Sequence, residues 1–407
     1  MIPVGEALAH VLGATPVLGA ERTAILAALG RVAAADVVSR RTVPAAPYSA
    51  MDGYAVRHAD VSAAPAYLRI VAVEPAGTVV ATAVEPGTAV KLFTGSVIPR
   101  GADAVVRIED CEEEGDRLLV RAPVPLGANI RAAGEDVEPG QVVLARGTVV
   151  GPADVGVLAS VGRSSVLVHQ RPRVAILSTG SELVEVDDVP GAGQVVNSNA
   201  YGLAAAVRDA GGEPVVLPIA PDRLDDIRAS VAQAARADVV LSTGGVSVGD
   251  LDFVKDALEG ASFERLFWRV AQKPGKPLLF GRLAERPFFG LPGNPVSALV
   301  CFALYVRPAL RRLQGHRRLH LPVVRARLAA PVRKTRGLTE FVRVSLSDGP
   351  DGAIATAARS QSSGALSALG GGAGLLVGAA ELAELPAGAV YPVVVAEPAL
   401  ARETPPF

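Results

Sequence analysis

VVLSTGGVS, at residues 239–247, places an apolar run directly before two glycines and a serine. Such a run is typical of a buried strand, and the glycines stand where that strand ends. The stretches KPGKP at 273–277 and GLPGNPVSA at 290–298 repeat this arrangement of polar or glycine residues after an apolar run. Open α/β sheets bind ligands outside the carboxyl ends of their strands. The three stretches therefore predict an α/β sheet with a ligand site at that edge.

Strands and helices alternate around these stretches. We predict strands at 173–177, 214–219, 238–241 and 288–290, and helices at 198–210, 222–236, 250–258 and 294–310. Asp222 is expected to cap the second of these helices, and Asn294 and Pro295 suit the start of the last. This alternation predicts a mainly parallel sheet covered by helices on both faces.

The flanking segments differ in character. Helices are predicted at 3–12, at 21–30 with a terminal glycine, and at 152–161 with a proline in the first position. Residues 43–126 are rich in Val, Thr, Pro and Gly, which predicts a β-rich module. Strands dominate again after residue 321, at 323–328, 341–346, 353–357 and 389–396. At 407 residues the chain exceeds one ordinary core, so several domains are expected.

Charge and cysteine content exclude several classes of protein. The formal net charge is −1, so no overall field attracts nucleic acid or a membrane surface, and an anionic ligand needs a local site. Two cysteines far apart argue against a disulfide framework and for a reducing compartment. The N-terminus lacks the basic start of a signal peptide. We therefore expect a cytoplasmic protein without a membrane span.

The glycines after the strand at 238–241 suit an anion. Successive glycines let backbone amides approach an anion closely, and a following helix N-terminus favours negative charge. The alternative is a tight turn without a ligand. Asp250 and Asp252 follow, and two carboxylates beyond an anion cradle suit a divalent cation. Because none of the five histidines lies in these stretches, Mg²⁺ is the predicted ion, although Asp250 serves equally well as a helix cap.

The turn at 273–277 carries two lysines between prolines. The chain has only five lysines against 35 arginines, so a compact ammonium group is favoured at this turn over a planar guanidinium. The prolines restrict the backbone and partly orient both side chains. We favour anion binding by Lys273 and Lys276 over the alternative of a solvated basic loop. The stretch at 291–295, taken alone, is explained by a well-formed helix start.

Seven motifs in this order resemble the MoeA family of molybdopterin molybdenumtransferases, which includes the E domain of gephyrin. They are MDGYA at 51–55, TG at 94–95, GADAVV at 101–106, GED at 134–136, GGVS at 244–247, KPGKP at 273–277 and GLPGNP at 290–295. The resemblance runs from about residue 46 to 302, with a weaker match beyond.

The resemblance implies an activity and an architecture. Adenylylated molybdopterin and molybdate would react, with Mg²⁺ assisting, to give molybdenum cofactor and AMP. The implied homodimer has four domains per chain: a discontinuous one at 1–42 and 127–170, an inserted β-rich module at 43–126, a MogA-like three-layer α/β domain at 171–316 that binds the pterin nucleotide, and a small C-terminal β-barrel domain at 317–407. An upstream molybdopterin adenylyltransferase is a possible partner.

The resemblance also implies roles for residues that match the motifs. Glu182 and Asp252 would hold the metal. Lys273 and Lys276 would neutralise the charge of pyrophosphate and oxyanion. The loop that would bind the nucleotide-linked phosphates contributes Gly244, Gly245 and Ser247.

The resemblance also implies which residues line the dimer cleft and which bind molybdate. Asp52 and Thr94 match positions that the family uses across the dimer cleft, and Asp222 matches an acidic position lining it. Arg131 is expected to reach the same cleft. The residues expected to hold molybdate and the adjoining cofactor are Arg343, Ser363, Pro292, Asn294 and Pro295.

Two other functions remain open on the sequence. A pterin-binding scaffold would keep the fold without the chemistry, although retention of both lysines and the acidic residues speaks against it. A molybdopterin adenylyltransferase would need only the MogA-like domain. The 170 residues before that domain favour the molybdenumtransferase.

Overall fold

The computed structural model describes residues 1–78, 81–244, 253–259, 261–370 and 374–395, without the side chains of 253 and 255. The chain forms two compact units. The first, which we call the large unit, comprises Met1–Glu21, Gly30–Ala34 and Val168–Phe407, and the second, the small unit, comprises Arg22–Leu29 and Ala35–Leu167. Within the described residues, no helix is long and apolar enough to span a membrane. The division into four domains stays a prediction.

A six-stranded sheet forms the centre of the large unit. Its strands are β1 (Arg173–Ser178), β2 (Glu213–Val216), β3 (Val239–Thr243), β4 (Phe263–Trp268), β6 (Leu279–Leu283) and β7 (Arg286–Leu291), in the spatial order β2-β1-β3-β7-β6-β4. Strands β2, β1, β3 and β7 pair in parallel. The sheet continues with β6, which is antiparallel to β7, and with β4, which is antiparallel to β6. The predicted parallel strands are confirmed, and β4 lies in the apolar region before the KPGKP turn, where a strand was expected, whereas β6 was not predicted.

Helices cover both faces of this sheet, so the predicted three-layer α/β arrangement is confirmed. The helices of the large unit are α1 (Val4–Gly13), α2 (Ser198–Asp209), α3 (Leu224–Ala234), α4 (Phe253–Glu259), α5 (Pro295–Cys301) and α6 (Arg307–Leu313), with a π-helical segment, Phe302–Val306, between α5 and α6. Val174 and Ile176 of β1 join the core under α1, α2, α5 and α6. Ala175 and Leu177 join the core under α3 and α4. This alternation is the two-residue period of a strand that is buried on both faces.

The C-terminal strands close into the predicted barrel. They are β8 (Val323–Leu328), β9 (Thr339–Gly349), β10 (Gly352–Ala357), β11 (Gly374–Gly378) and β12 (Val390–Val394), paired in the cycle β9-β10-β8-β12-β11-β9. A two-residue strand, β5 (Gln272–Lys273), adds to β9 in parallel. Closure pairs every one of the five strands on both sides, which removes exposed sheet edges.

The small unit is built around another six-stranded sheet, as the β-rich composition predicted. Its strands, in spatial order, are Ala104–Arg107, Gly53–Val56, Thr88–Leu92, Ala66–Glu74, Arg117–Val120 and Cys111–Glu114. Its helical elements are His58–Val61, the predicted Pro152–Ser160, and the 3₁₀ turns Leu26–Ala28 and Ile108–Asp110. Short strand pairs join Tyr48–Ser49 to Ile130–Arg131 and Val37–Val38 to Val142–Leu144.

Several short elements complete the chain. They are the strands Ala20–Ala24 and Ser165–His169, the pairs Leu183–Val184 with Val195–Val196 and Val332–Arg333 with Glu384–Leu385, and the 3₁₀ turn Leu366–Leu369. The helix predicted at 21–30 is wrong, because a strand and one 3₁₀ turn stand there. Leu26 and Leu29 are 79% and 52% exposed, so this segment buries no continuous apolar face, on which a helix in a protein depends.

Candidate active site

The first cleft of the large unit lies at the carboxyl ends of β1, β3 and β7. This strand-end cleft has a volume of about 420 Å³. Its lining includes Thr179 and Glu182 after β1, Thr243 and Gly244 at the end of β3, and Asn294 after β7. Parallel strands bring these chain segments to one edge, which is where open α/β sheets hold ligands. The predicted ligand edge of the sheet is therefore a cleft.

Buried hydroxyl groups form the floor of the strand-end cleft. The Thr243 hydroxyl donates to Ser178 Oγ at 3.3 Å, and Ser178 donates in turn to Asn197 Oδ1 at 3.2 Å. Asn197 also accepts from the backbone N–H of Ala200, at 3.3 Å, and so caps α2. Sequence reasoning missed Asn197, although an asparagine directly before a helical segment is a typical N-cap signal. The network ties the ends of two strands to the start of a helix.

Glycine is required at two points of this cleft. Gly244 has φ +83°, and a Cβ there would lie 3.0 Å from the carbonyl oxygen of Thr179. Gly180 has φ +147°, and a Cβ there would lie 2.7 Å from Glu182 Oε1. Only glycine adopts these conformations without strain. The Glu182 carboxylate therefore lies against the backbone of Gly180, at the edge of the cleft.

Asp222 is held beside this edge. Its carboxylate accepts a hydrogen bond from the Ser181 N–H at 2.9 Å, and its own N–H donates to Ser181 Oγ at 3.1 Å. The prediction that Asp222 caps α3 is wrong, because Arg223 occupies the cap position. The reciprocal bonds with Ser181 use the carboxylate instead, and bring Asp222 to the residue next to Glu182.

A second cleft of the large unit contains both lysines of the turn at 273–277. This lysine cleft has a volume of about 340 Å³, and Lys273, Lys276, Arg343 and Ser363 all line it. The parallel pairing of β5 with β9 sets Lys273 opposite Glu340. The two side chains form an ion pair at 3.6 Å between Nζ and Oε1. Four predicted residues from two distant parts of the sequence thus share one cleft.

Arg343 is fully buried at the base of the lysine cleft. Its Nη2 donates to the carbonyl oxygens of Ser360 and Ser362, at 2.9 and 3.0 Å. Among the described residues its Nε has no hydrogen-bond partner, and burial lowers the pKa of the guanidinium. The guanidinium therefore fixes the loop that carries Ser363, while its Nε is left without a partner in the ranges that the structure describes. This orphaned donor is the feature of the cleft that most clearly suits an oxyanion.

The first turn of α5 connects the two clefts. Asn294 and Pro295 line the strand-end cleft, whereas Ser297 lines the lysine cleft. The Val296 N–H donates to the carbonyl of Ser363 at 3.1 Å. Asn294 stands at the predicted cap position, but its side chain makes no capping bond to the residues that the structure describes. Pro292 directly follows the last residue of β7 and is buried.

The small unit carries the remaining predicted residues. Asp52 Oδ1 accepts from the backbone N–H of Thr94 at 2.7 Å and from its hydroxyl at 2.8 Å. These two bonds, the backbone one first, lower the pKa of the exposed Asp52 carboxyl. Arg131 is exposed and pairs with Tyr48 in a short ladder. The structure thus links Asp52 and Thr94 by hydrogen bonds, and the two residues lie on two loops at the ends of neighbouring strands of one sheet.

Three predicted residues, Gly245, Ser247 and Asp252, lie outside the described residues, as does Asp250. Among the residues that are described, no group of three or more His, Cys, Asp or Glu side chains could hold a metal ion. Glu182 thus remains the one predicted metal ligand that the structure describes.

Family models match most of the chain. The MoeA N-terminal region (domains I and II) matches residues 2–162, the probable molybdopterin-binding domain matches 175–312, and the MoeA C-terminal region (domain IV) matches 325–395. The chain belongs to the MoeA family. Membership confirms the family predicted from the seven sequence motifs, and it extends the match to the C-terminal barrel, where the motifs are weak.

Relatives and solved structures agree with MoeA membership. Molybdopterin molybdenumtransferase 2 of Mycobacterium tuberculosis is 39% identical over 329 residues, covering 78% of this chain and 81% of the relative. The molybdopterin molybdenumtransferase of Haemophilus influenzae is 38% identical over 320 residues, covering 78% of each. The crystal structure of the molybdopterin biosynthesis moeA protein from Pyrococcus horikoshii superposes with a TM-score of 0.83 at 32% identity, covering 97% of this chain and all of that one.

Proposed function

We propose that this chain inserts molybdenum from molybdate into adenylylated molybdopterin and releases AMP, with Mg²⁺ assisting. Its transferase class and its place in molybdenum cofactor biosynthesis follow from the MoeA family models and from relatives named molybdopterin molybdenumtransferase. One structural observation carries the finer proposal. Lys273, Lys276, Arg343 and Ser363 share a cleft joined by the first turn of α5 to the cleft at the strand ends.

The cations of the lysine cleft suit the charges of this reaction. Molybdate is a dianion, and breaking the phosphoanhydride bond of adenylylated molybdopterin leaves negative charge on the AMP phosphate. Ammonium groups fixed beside such oxygens stabilise charge as it develops. We assign this role to Lys273 and Lys276. The Nε donor of Arg343, which has no partner within the described part of the chain, and the Ser363 hydroxyl are the proposed holders of molybdate, together with Pro292 and Pro295.

The strand-end cleft is the proposed site of the pterin nucleotide. Its backbone amides at Gly244 and its helix start at Asn294 suit phosphate oxygens. The Glu182 carboxylate at its edge is a hard oxygen donor of the kind that Mg²⁺ prefers. Glu182 would hold the ion together with Asp252, with Asp222 nearby. When bound, Mg²⁺ would supply neutralising charge to the phosphate oxygens.

We further propose a cytoplasmic homodimer that takes its pterin substrate from a molybdopterin adenylyltransferase. In this proposal Asp52, Thr94 and Arg131 act at the cleft of the dimer. The hydrogen bonds from Thr94 keep the Asp52 carboxylate ionised and in a fixed direction. A fixed carboxylate of this kind can orient a donor group of the substrate.

The proposal is tested by AMP release from adenylylated molybdopterin in the presence of molybdate and Mg²⁺. We expect wild-type protein to release AMP and Lys276→Met to lose about 100-fold or more of kcat/KM, because removal of one preorganised donor costs about that much. Lys91→Met is the matched control, since Lys91 pairs with Glu113 in the small unit. If the wild type bound the pterin substrate but released no AMP, the proposed transferase activity would be contradicted and a pterin-binding scaffold would be indicated.

A further inference from the structure

A buried polar network lies directly beneath the lysine turn. Gln272, Cys301 and Tyr305 are all fully buried, which is unusual for a glutamine because its amide must be hydrogen-bonded there. The Tyr305 hydroxyl donates to Gln272 Oε1. None of the three residues figures in the sequence motifs or in the proposed chemistry. Their burial next to a cationic turn therefore needs its own explanation.

The network holds the backbone of the turn at two successive carbonyls. Gln272 Nε2 donates to the carbonyl of Pro274 at 3.0 Å and to Cys301 Sγ at 3.6 Å. The Cys301 thiol donates to the carbonyl of Gly275 at 3.6 Å. Burial raises the pKa of this thiol to about 12, so it keeps the proton that it donates. The two anchored carbonyls lie between Lys273 and Lys276.

The turn also packs against the network without free space. Gly275 has φ +90°, and a Cβ there would lie 2.8 Å from Gln272 Nε2 and would collide with Cys301 Sγ. Tyr305 reaches Gln272 from the π-helical segment that interrupts the helix after α5. Such π-helical turns inside helices are frequent at functional sites. Through Tyr305, the π-helical segment contacts the base of a turn whose two lysine side chains are both exposed.

We propose that Gln272, Cys301 and Tyr305 are positioning residues, which hold the turn so that the Lys273 and Lys276 ammonium groups face an oxyanion. The proposal rests on the function proposed above. A tightly held turn orders the two cations before the ligand arrives, and such preorganisation lowers the cost of binding. Loss of the network should therefore weaken oxyanion affinity while leaving the lysines themselves in place.

The test uses two variants that remove opposite ends of one hydrogen bond. Tyr305→Phe removes the donor, Gln272→Met removes the acceptor and the bond to Pro274, and the double variant removes both ends. The matched control is Gln314→Met, because Gln314 is also buried and its Nε2 also donates to backbone carbonyls, those of Ala210 and Leu310. Replacing both partners by apolar groups of similar shape costs little stability, so the double variant separates positioning from folding.

We expect the KM for molybdate in AMP release to rise about tenfold in Gln272→Met and in the double variant, with kcat changed much less. Gln314→Met should keep the wild-type KM. Hydrogen exchange of residues 270–278 should be faster in Gln272→Met and in the double variant than in the wild type. These residues report on the turn because the N–H groups of Val270 and Leu278 bond to the carbonyl of Lys276. An unchanged KM in the double variant, or unchanged exchange, would overturn the proposal.

The two proposals fail in different ways. If the wild type released no AMP, the proposed function would fall, and hydrogen exchange would still decide whether the network holds the turn. If the wild type were active and all variants kept its KM for molybdate, only the positioning role would fall. A lower melting temperature in Gln272→Met with a wild-type KM would assign the network to folding alone and so contradict the proposal.

Discussion

At the scale of single residues, Asp52 and Thr94 offer a measurable electrostatic pair. Two bonds from Thr94 lower the Asp52 pKa, the backbone bond more than the hydroxyl bond. Thr94→Val removes only the hydroxyl. We therefore expect the Asp52 pKa to rise part of the way towards its ordinary value, as measured by NMR titration of the carboxyl carbon.

Thr94→Ser is the control for this prediction, because serine keeps the hydroxyl donor at the same position. It should leave the Asp52 titration where the wild type has it. Equal Asp52 pKa values in the wild type and in Thr94→Val would contradict the role of the hydroxyl bond.

The lowered pKa of His316 predicts that the free energy of unfolding depends on pH. Burial first, then the charges of Arg311, Arg307 and His169, lower its pKa from 6.5 to about 4. The unfolded chain therefore binds a proton as pH falls below about 6.5 while the folded chain resists it, and stability falls between these two values. Each unit of pKa difference contributes about 1.4 kcal/mol.

His316→Gln should remove this contribution. We expect its free energy of unfolding, from urea melts at pH 7 and pH 4.5, to fall less with decreasing pH than that of the wild type. An equal fall in both proteins would show that protonation of other groups, not of His316, causes the loss of stability at acid pH.

At the scale of elements, Arg343 ties strand β9 to the loop at 360–363. Its Nη2 donates to two carbonyls of that loop, and Gln361 bonds back to the N–H and carbonyl of Arg343. Lysine is shorter and cannot reproduce a planar fork. We expect Arg343→Lys to lower the free energy of unfolding by about 1.5–3 kcal/mol, measured in urea.

Arg325→Lys is the matched control for this substitution, because Arg325 is exposed on the barrel strand β8. Its free energy of unfolding should stay within about 0.5 kcal/mol of the wild type. Equal losses in both variants would mean that the bonds of Arg343 to the loop contribute nothing specific.

Local sequence patterns predicted some elements and failed for others. The parallel strands and the helices at 198–209 and 152–160 were predicted closely, because their apolar period and end signals are local. The segment 21–30 has a helical period but no partner surface for it. The predicted helix at 294–310 contains a π-helical segment, which no local signal marks.

At the scale of the whole molecule, the proposed homodimer predicts complementation between inactive variants. Asp52→Asn and Lys276→Met alter the small and large units respectively. If the active site of the dimer takes its Asp52 and its Lys276 from different chains, mixing and re-forming dimers should restore up to about a quarter of wild-type AMP release, since half the dimers are mixed and each has one intact site.

Sedimentation should show a dimer of each variant before mixing. A monomer at working concentration would contradict the homodimer. Dimers that exchange chains without regaining activity would show that each chain supplies both residues to its own site.

The sequence by itself determined the α/β alternation, the glycine and proline loops at the strand ends, and the family. The first two depend on local periods and on neighbouring residue types, and the family follows from seven short motifs in a fixed order. Only the tertiary structure decided that Lys273 pairs with Glu340, that Arg343 is buried with no partner for its Nε among the described residues, and that the Tyr305 hydroxyl bonds to Gln272 beside the lysine turn. Tyr305 and Gln272 are 33 positions apart, and Lys273 lies still farther along the sequence from Glu340. Helix packing brings the first pair together and strand register brings the second, and neither is a local property of the sequence.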